Sequence, residues 1–127
     1  NLTKLVVPKG IRNVECYRNQ LRELILCKEV SGLMCQGNNL EELVLHEGIK
    51  VLNCHSNNLR ALYLPKSIKR LTCSRNYLTE LYLPKGVNHV LCIDNLLKTI
   101  SISERFEVSE ESFKYGGNNL GPDSKAL

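Results

Sequence analysis

Cysteine is the residue type in this sequence best able to do chemistry, and five of its copies are evenly spaced. Cys16, Cys35, Cys54, Cys73 and Cys92 follow one another at intervals of 19 residues. A structural metal site usually contains a close Cys-x-x-Cys pair, and the sequence has none. Equivalent positions on parallel neighbouring segments point the same way, which disfavours a disulfide. The spacing therefore predicts a column of buried, unpaired thiols that act as small hydrophobic side chains.

The other candidate nucleophiles and bases form no recognisable catalytic set. Cys27 lies off the column, so we expect it to be the most reactive thiol. His46, His55 and His89 fall at three different positions of the repeat, which gives no Ser-His-Asp arrangement. No phosphate-binding loop is present, because Gly116-Gly117 leads into Asn118 rather than into a helix that begins with lysine. We therefore predict a non-enzymatic chain with no cofactor and no metal site.

The same 19-residue interval governs the elements that position these residues. Leucine stands at 2, 21, 40, 59, 78 and 97, and asparagine at 19, 38, 57, 76 and 95. A fixed period near 20 residues indicates a solenoid in which each repeat forms one coil. In Leu71-x-Cys73 the period of two places both side chains on one face of a strand, which pairs with its copy in the next coil. Asn76 should turn the chain inward and bond backbone groups of two coils, so that stacked copies form a ladder.

The repeat also matches a known family pattern. Residues 68–78 read Ile-x-x-Leu-x-Cys-x-x-Asn-x-Leu, and the frame recurs at 11–21, 30–40, 49–59 and 87–97. It resembles the conserved half of a leucine-rich repeat, LxxLxLxxNxL, with cysteine in the third apolar position. The other half, Leu-x-Leu-Pro-x-x, is similar to the short repeats of secreted bacterial leucine-rich effectors. The resemblance implies a right-handed all-β solenoid with a parallel sheet on its concave side, short extended or β segments on its convex side and little helix.

A second apolar run follows the asparagine of each repeat, at residues 24–26, 43–45, 62–64 and 81–83. A repeat of 19 residues has no room for a three-turn helix beside a strand and two turns. The run is therefore polyproline-like or forms short strands, and we expect short strands in at least some copies. Gly10, Gly48 and Gly86 stand where we expect the following turn to need room.

The pattern divides the chain into three parts. Residues 1–102 hold about five leucine-rich copies, 103–120 read as a degenerate capping repeat, and 121–127 read as a tail. One helical turn is expected around residues 107–112. Because the chain enters mid-repeat with no cap before Leu2, we also expect further sequence upstream.

The composition limits the classes of binding partner that the chain is expected to have. The net charge of +4 with 24% charged residues is too weak to indicate nucleic acid without a concentrated basic stripe. No apolar run approaches the roughly 18 residues of a membrane span. The unpaired cysteines favour a reducing compartment, either the cytoplasm or, for an effector, the cytoplasm of a host.

The outward positions beside Leu-x-Cys vary freely and mix aromatic, charged and polar types that suit a protein-binding surface. The predicted partner-binding residues are Glu15, Tyr17, Met34, Gln36, Asn53, His55, Arg70, Thr72 and Arg75. A solvated sheet with no partner is the alternative.

Two further surface rows are predicted. Ile25, Val44, Tyr63 and Tyr82, preceded by Val6, form an apolar stripe that a second copy or a partner could cover. Lysines at 9, 28, 66 and 85, interrupted by Glu47, line one turn edge. That edge either binds an acidic surface or is a solvated edge that discourages aggregation.

Three functions remain open. The first is a non-enzymatic protein-interaction module, with a bacterial effector or surface protein as the setting that the resemblance implies. The second is the substrate-recognition part of a leucine-rich-repeat ubiquitin ligase whose catalytic domain is absent. Cys92-Ile93-Asp94 resembles the Cys-x-Asp site of that family, although there the motif lies in a separate helical domain. The third is a structural repeat that self-associates through the apolar stripe, forming a homo-oligomer.

Overall fold

A computed structural model describes residues 2–103 and 111–121 of the chain, and these residues form strands and turns without a helix. The strands are β1 (Lys4–Val6), β2 (Asn13–Glu15), β3 (Glu23–Ile25), β4 (Gly32–Met34), β5 (Val51–Asn53), β6 (Arg70–Thr72), β7 (Glu80–Leu83), β8 (His89–Leu91), β9 (Thr99–Ile102) and β10 (Phe113–Lys114).

Six of these strands build one parallel sheet, in the order β10-β8-β6-β5-β4-β2. From β2 to β8 each residue pairs with the residue 19 positions further on, as Leu33 pairs with Leu52 and Leu52 with Leu71. The middle residue of each strand is buried and its neighbours reach solvent, because successive side chains of a strand point to opposite faces. The predicted fold class is confirmed: the chain is an all-β parallel-sheet solenoid of about five turns.

The opposite side of the solenoid, here called the second face, is only partly paired. Strand β1 pairs with β3 and β7 with β9, which confirms short strands in some copies. Residues 43–45 and 62–64 carry the same Leu-x-Leu pattern, but their backbone makes no hydrogen bond within the described part of the chain. The second face therefore consists of two short ladders separated by two unpaired coils.

The core lies between the two faces and repeats with the coil. Leu40, Leu59, Leu78 and Leu97 are fully buried, as are Cys35, Cys54, Cys73 and Cys92. Asn38, Asn57, Asn76 and Asn95 are the buried polar residues of the described chain. Each accepts a hydrogen bond from the backbone of the preceding coil, as Leu40 N–H donates to Asn57 Oδ1 at 3.0 Å. The asparagine ladder predicted from the period is present, and it pairs backbone groups that would otherwise be buried without partners.

Two of the three turn glycines have a different cause from the one expected, whereas a Cβ atom at the third, Gly86, would meet Lys69 Nζ at 2.8 Å. Gly10 and Gly48 adopt φ values of 92° and 109°, and a Cβ atom at either would meet nothing within 4 Å. The requirement at these two positions is therefore the left-handed backbone, not space.

The end of the solenoid continues the pattern with a longer connection. Strand β10 pairs with β8, and Asn118 extends the ladder by donating to the Cys92 carbonyl at 3.0 Å. Residues 104–110 and 122–127 lie outside the described part, and with them most of the expected helical turn and tail. The assignment of 103–120 as a cap stays a prediction.

Candidate functional site

The exposed side of the six-stranded sheet and the turn that follows it, here together called the main-sheet face, carry the nine residues predicted to bind a partner. Register places four of them in one row across adjacent strands: Glu15 beside Met34, Met34 beside Asn53, and Asn53 beside Thr72. Each of these side chains is accessible to solvent. Arg70 lies two residues before Thr72 on β6 and is exposed on the same face.

A second row follows just beyond the strands. It contains Tyr17, Gln36 and His55, and backbone hydrogen bonds continue the sheet pairing through it. Arg18 N–H donates to the Gln36 carbonyl and Gly37 N–H to the His55 carbonyl, both at 2.9 Å. These bonds tie the backbone of the second row from one coil to the next. Tyr17 is 45% exposed, the most open aromatic ring on this face outside the turns.

Local hydrogen bonds orient the histidine of this row. The backbone N–H of His55 donates to Asn53 Oδ1 at 3.2 Å, and its Nδ1 lies 2.8 Å from the Ser56 hydroxyl. Two predicted binding residues, Asn53 at the end of β5 and His55 just beyond it, are thus joined by a hydrogen bond. The contact with the Ser56 hydroxyl sets the orientation of the His55 ring before any partner arrives.

The turn after the second row contains a feature that sequence reasoning missed. Arg18, Ser56, Arg75 and Asp94 occupy equivalent positions and have φ between 55° and 57°. A left-handed conformation costs a non-glycine residue about 1–2 kcal/mol. The signal available in the sequence was Gly37, whose φ is 71° at the same repeat position. Three of the four side chains at this position, those of Arg18, Arg75 and Asp94, are charged and exposed.

The cysteine column offers no reactive thiolate. Cys16, Cys35, Cys54, Cys73 and Cys92 are buried and unpaired. Burial raises the pKa of Cys54 and Cys73 well above the ordinary value, with a smaller contribution from the neighbouring thiol of the column. Burial also raises the pKa of Cys92 to about 12, so the Cys-x-Asp motif holds a protonated, enclosed thiol. Cys27 is half-buried, with its Sγ 3.3 Å from the Ile11 carbonyl.

The described residues contain neither a metal cluster nor a spanning helix. No group of three His, Cys, Asp or Glu side chains among residues 2–103 and 111–121 is arranged to hold an ion. Over the same residues, no helix has the length and apolar character needed to cross a bilayer.

The second face presents the predicted apolar stripe. Its five side chains are Val6, Ile25, Val44, Tyr63 and Tyr82, with exposed fractions from 44% to 83%. Grooves run between its coils where the ladder is interrupted. One groove of about 480 Å³ separates β3 from residues 42–46, and another of about 380 Å³ separates residues 61–64 from β7.

Comparison with models of known protein families finds no match, and no curated protein matches the chain. Any conclusion about function therefore rests on the geometry of the two faces.

Proposed function

We propose that this chain is a leucine-rich-repeat module that binds another protein through its main-sheet face. The observation that supports this is the arrangement of nine accessible, chemically varied side chains on one hydrogen-bonded sheet and in the turn beside it. The inward columns repeat leucine, cysteine and asparagine, whereas the outward columns change from coil to coil. Such variation on a constant scaffold is typical of a recognition surface.

The rigidity of the scaffold favours binding. Each coil is held to the next by backbone pairing and by the buried asparagine ladder. Little backbone entropy is then lost when a partner is bound, and more of the contact free energy remains as affinity. Tyr17, Arg70 and Arg75 are exposed and belong to the residue types that dominate binding energy at protein interfaces.

The biological setting is proposed from the repeat pattern alone. The short Leu-x-Leu-Pro half of the repeat favours a bacterial effector or surface protein. A ubiquitin-ligase substrate-recognition part is the alternative, and a helical domain after Leu127 in the full-length gene would favour it. The enclosed Cys92 thiol speaks against catalysis within this chain, because a nucleophilic thiol must be accessible and ionised.

The test compares two variants with matched changes in charge and aromatic content. The main-sheet variant carries Tyr17→Ala, His55→Ala, Arg70→Glu and Arg75→Glu, and the second-face variant carries Tyr63→Ala, Tyr82→Ala, Arg60→Glu and Lys98→Glu. Circular dichroism should show the parent fold in both, because all eight side chains lie outside the buried core. In quantitative affinity capture, the proposal expects a protein that the parent and the second-face variant retain and the main-sheet variant loses. Equal retention by both variants would contradict it.

Self-association through the second face is the second candidate, and the exposed stripe favours it. Tyr63 is 83% exposed and Val44 77%, in line with three further apolar side chains. If the stripe joins two copies, light scattering should give a mass that rises with concentration and falls back to the monomer in Tyr63→Lys. A monomer mass at every concentration excludes this candidate.

A further inference from the structure

The turns that lead from the second face into the main sheet carry the excess positive charge of the molecule. These turns, residues 8–12, 27–31, 46–50, 65–69 and 84–88, hold seven cationic side chains and two carboxylates. We call the seven cationic residues the lysine edge: Lys9, Arg12, Lys28, Lys50, Lys66, Lys69 and Lys85, all exposed. Outside these turns the chain has ten Lys and Arg and eleven Asp and Glu, which nearly cancel. The net charge of +4 therefore originates at this edge.

The two carboxylates of these turns do not neutralise the lysines. Glu29 Oε1 accepts the Gly10 backbone N–H at 2.7 Å, and Glu47 Oε2 accepts the Lys66 backbone N–H at 3.0 Å. Both carboxylates thus tie one turn to the turn of the preceding or following coil. The ion pair found among residues 2–103 and 111–121 is Lys4–Glu23 at 3.3 Å, on the second face. Within these residues the lysine edge makes no ion pair.

The fold also brings like charges together. Equivalent positions of adjacent coils are separated by about 4.8 Å along the solenoid. Lys9 therefore lies next to Lys28, and Lys66 next to Lys85, with ammonium groups that repel each other. This repulsion between lysines opposes the stacking of the coils. A negatively charged partner that neutralises the lysines would remove the repulsion and explain their presence.

We propose that the lysine edge docks an acidic polypeptide segment, an extended stretch rich in Asp and Glu on a partner protein. The edge spans five coils, about 19 Å, which matches about six extended residues. This inference concerns a surface separate from the main-sheet face and does not depend on the function proposed for that face.

The composition of the edge favours carboxylates over nucleic acid. The five turns contain no Phe, Tyr or Trp on which a base could stack. Six of the seven cations are lysine, whose compact ammonium lacks the forked geometry with which arginine binds phosphate at two points.

The test measures binding of fluorescein-labelled decaglutamate by fluorescence anisotropy. The edge variant carries Lys28→Gln, Lys66→Gln and Lys85→Gln, and a control variant carries Arg22→Gln, Arg60→Gln and Lys98→Gln. Both lose three positive charges at exposed positions, and circular dichroism should show the parent fold in both. At about 50 mM salt we expect the edge variant to bind about tenfold more weakly than the parent and the control within about twofold.

Three results would overturn the proposal. If the parent did not bind decaglutamate at low salt, the lysine edge would not be a binding site for acidic segments. Equal weakening in the two variants would show a response to net charge without a defined edge. Tighter binding of a labelled ten-residue oligothymidine than of decaglutamate would assign the edge to nucleic acid instead.

Discussion

The side-chain amide of Asn57 donates to the carbonyl oxygens of Cys35 and Cys54, each at 3.0 Å, and so joins two successive coils. Its Oδ1 accepts the backbone N–H of Leu40 from the preceding coil. Asn57 is only 5% exposed, and besides these three bonds its amide donates a longer one, of 3.5 Å, to the His55 carbonyl. Stacking of the coils, and therefore the register of the main-sheet face, depends on this column.

We predict that Asn57→Ala destabilises the chain by about 3 kcal/mol, since it leaves buried backbone groups without partners. Urea unfolding followed by circular dichroism measures the change. Asn58→Ala is the matched control, because the Asn58 side chain makes no hydrogen bond in the described structure, and its cost should stay within about 0.5 kcal/mol. Similar losses in the two variants would contradict the ladder.

Alkaline pH should destabilise the fold through the cysteine column. The ordinary thiol pKa is 9.0, and burial raises the pKa of Cys54 and Cys73 well above it and that of Cys92 to about 12. Above pH 9 the unfolded chain releases these protons while the folded chain keeps them. Stability is therefore full below the unfolded pKa and falls as pH rises toward the folded pKa, by up to about 1.4 kcal/mol per pH unit for each thiol.

The double variant Cys54→Ala, Cys73→Ala isolates this effect. It should be less stable than the parent near pH 8, because each change leaves a small cavity. Its loss of stability between about pH 9 and pH 11 should be shallower, by at most roughly 3 kcal/mol per pH unit. Parallel pH dependence in parent and variant would show that other groups cause the alkaline loss.

Cys27 should react with a thiol reagent before the five thiols of the column. It is half-buried, whereas Cys35, Cys54, Cys73 and Cys92 are fully enclosed. Mass spectrometry after limited native labelling should place the first label on Cys27, and the column thiols should react only in denaturant. Labelling of all six at one rate would refute a buried column.

The left-handed turn predicts that two substitutions change the stability of the chain in opposite directions. Arg75→Gly should stabilise the chain by about 0.5–1 kcal/mol, because it relieves a φ of 57° at an exposed residue. Gly37→Ala should destabilise it by about 1 kcal/mol, since its φ is 71° while the nearest atoms, in Arg18, lie at an ordinary 3.6 Å. Thermal unfolding measures both changes in stability. Changes in the same direction would contradict the claim that the turn is strained at non-glycine residues.

A control separates this strain from the general effect of glycine. Ser31 stands in another turn and does not have a positive φ. Ser31→Gly should therefore lose about 0.5–1 kcal/mol through the greater entropy of the unfolded chain.

The sequence predicts the parts of the fold that the 19-residue period repeats without exception. Leu59, Cys54 and Asn57 are buried in the positions expected, because each column must fill or cross-link the same narrow interior. The second face was less predictable. Residues 43–45 and 81–83 share the Leu-x-Leu pattern, yet only 81–83 lie in a paired strand, so the pattern alone does not decide the pairing.

The candidate site, too, has a part that the sequence predicts and a part that it does not. The alternation of inward and outward residues located Glu15, Met34, Asn53 and Thr72 on one face, as their register confirms. Whether they bind a partner stays a prediction. The left-handed turn at Arg75 escaped notice, because only glycine at that position marks the conformation in sequence.

Site-specific photo-crosslinking tests the binding face most directly. Tyr17 on the main-sheet face and Tyr63 on the second face are both exposed tyrosines, so p-benzoylphenylalanine can replace each without disturbing the core. After irradiation in cells, position 17 should form a covalent adduct with a protein other than this chain, and position 63 should not. An adduct at position 63 alone, whether with a second copy or with another protein, would contradict the proposal that the main-sheet face is the site of recognition.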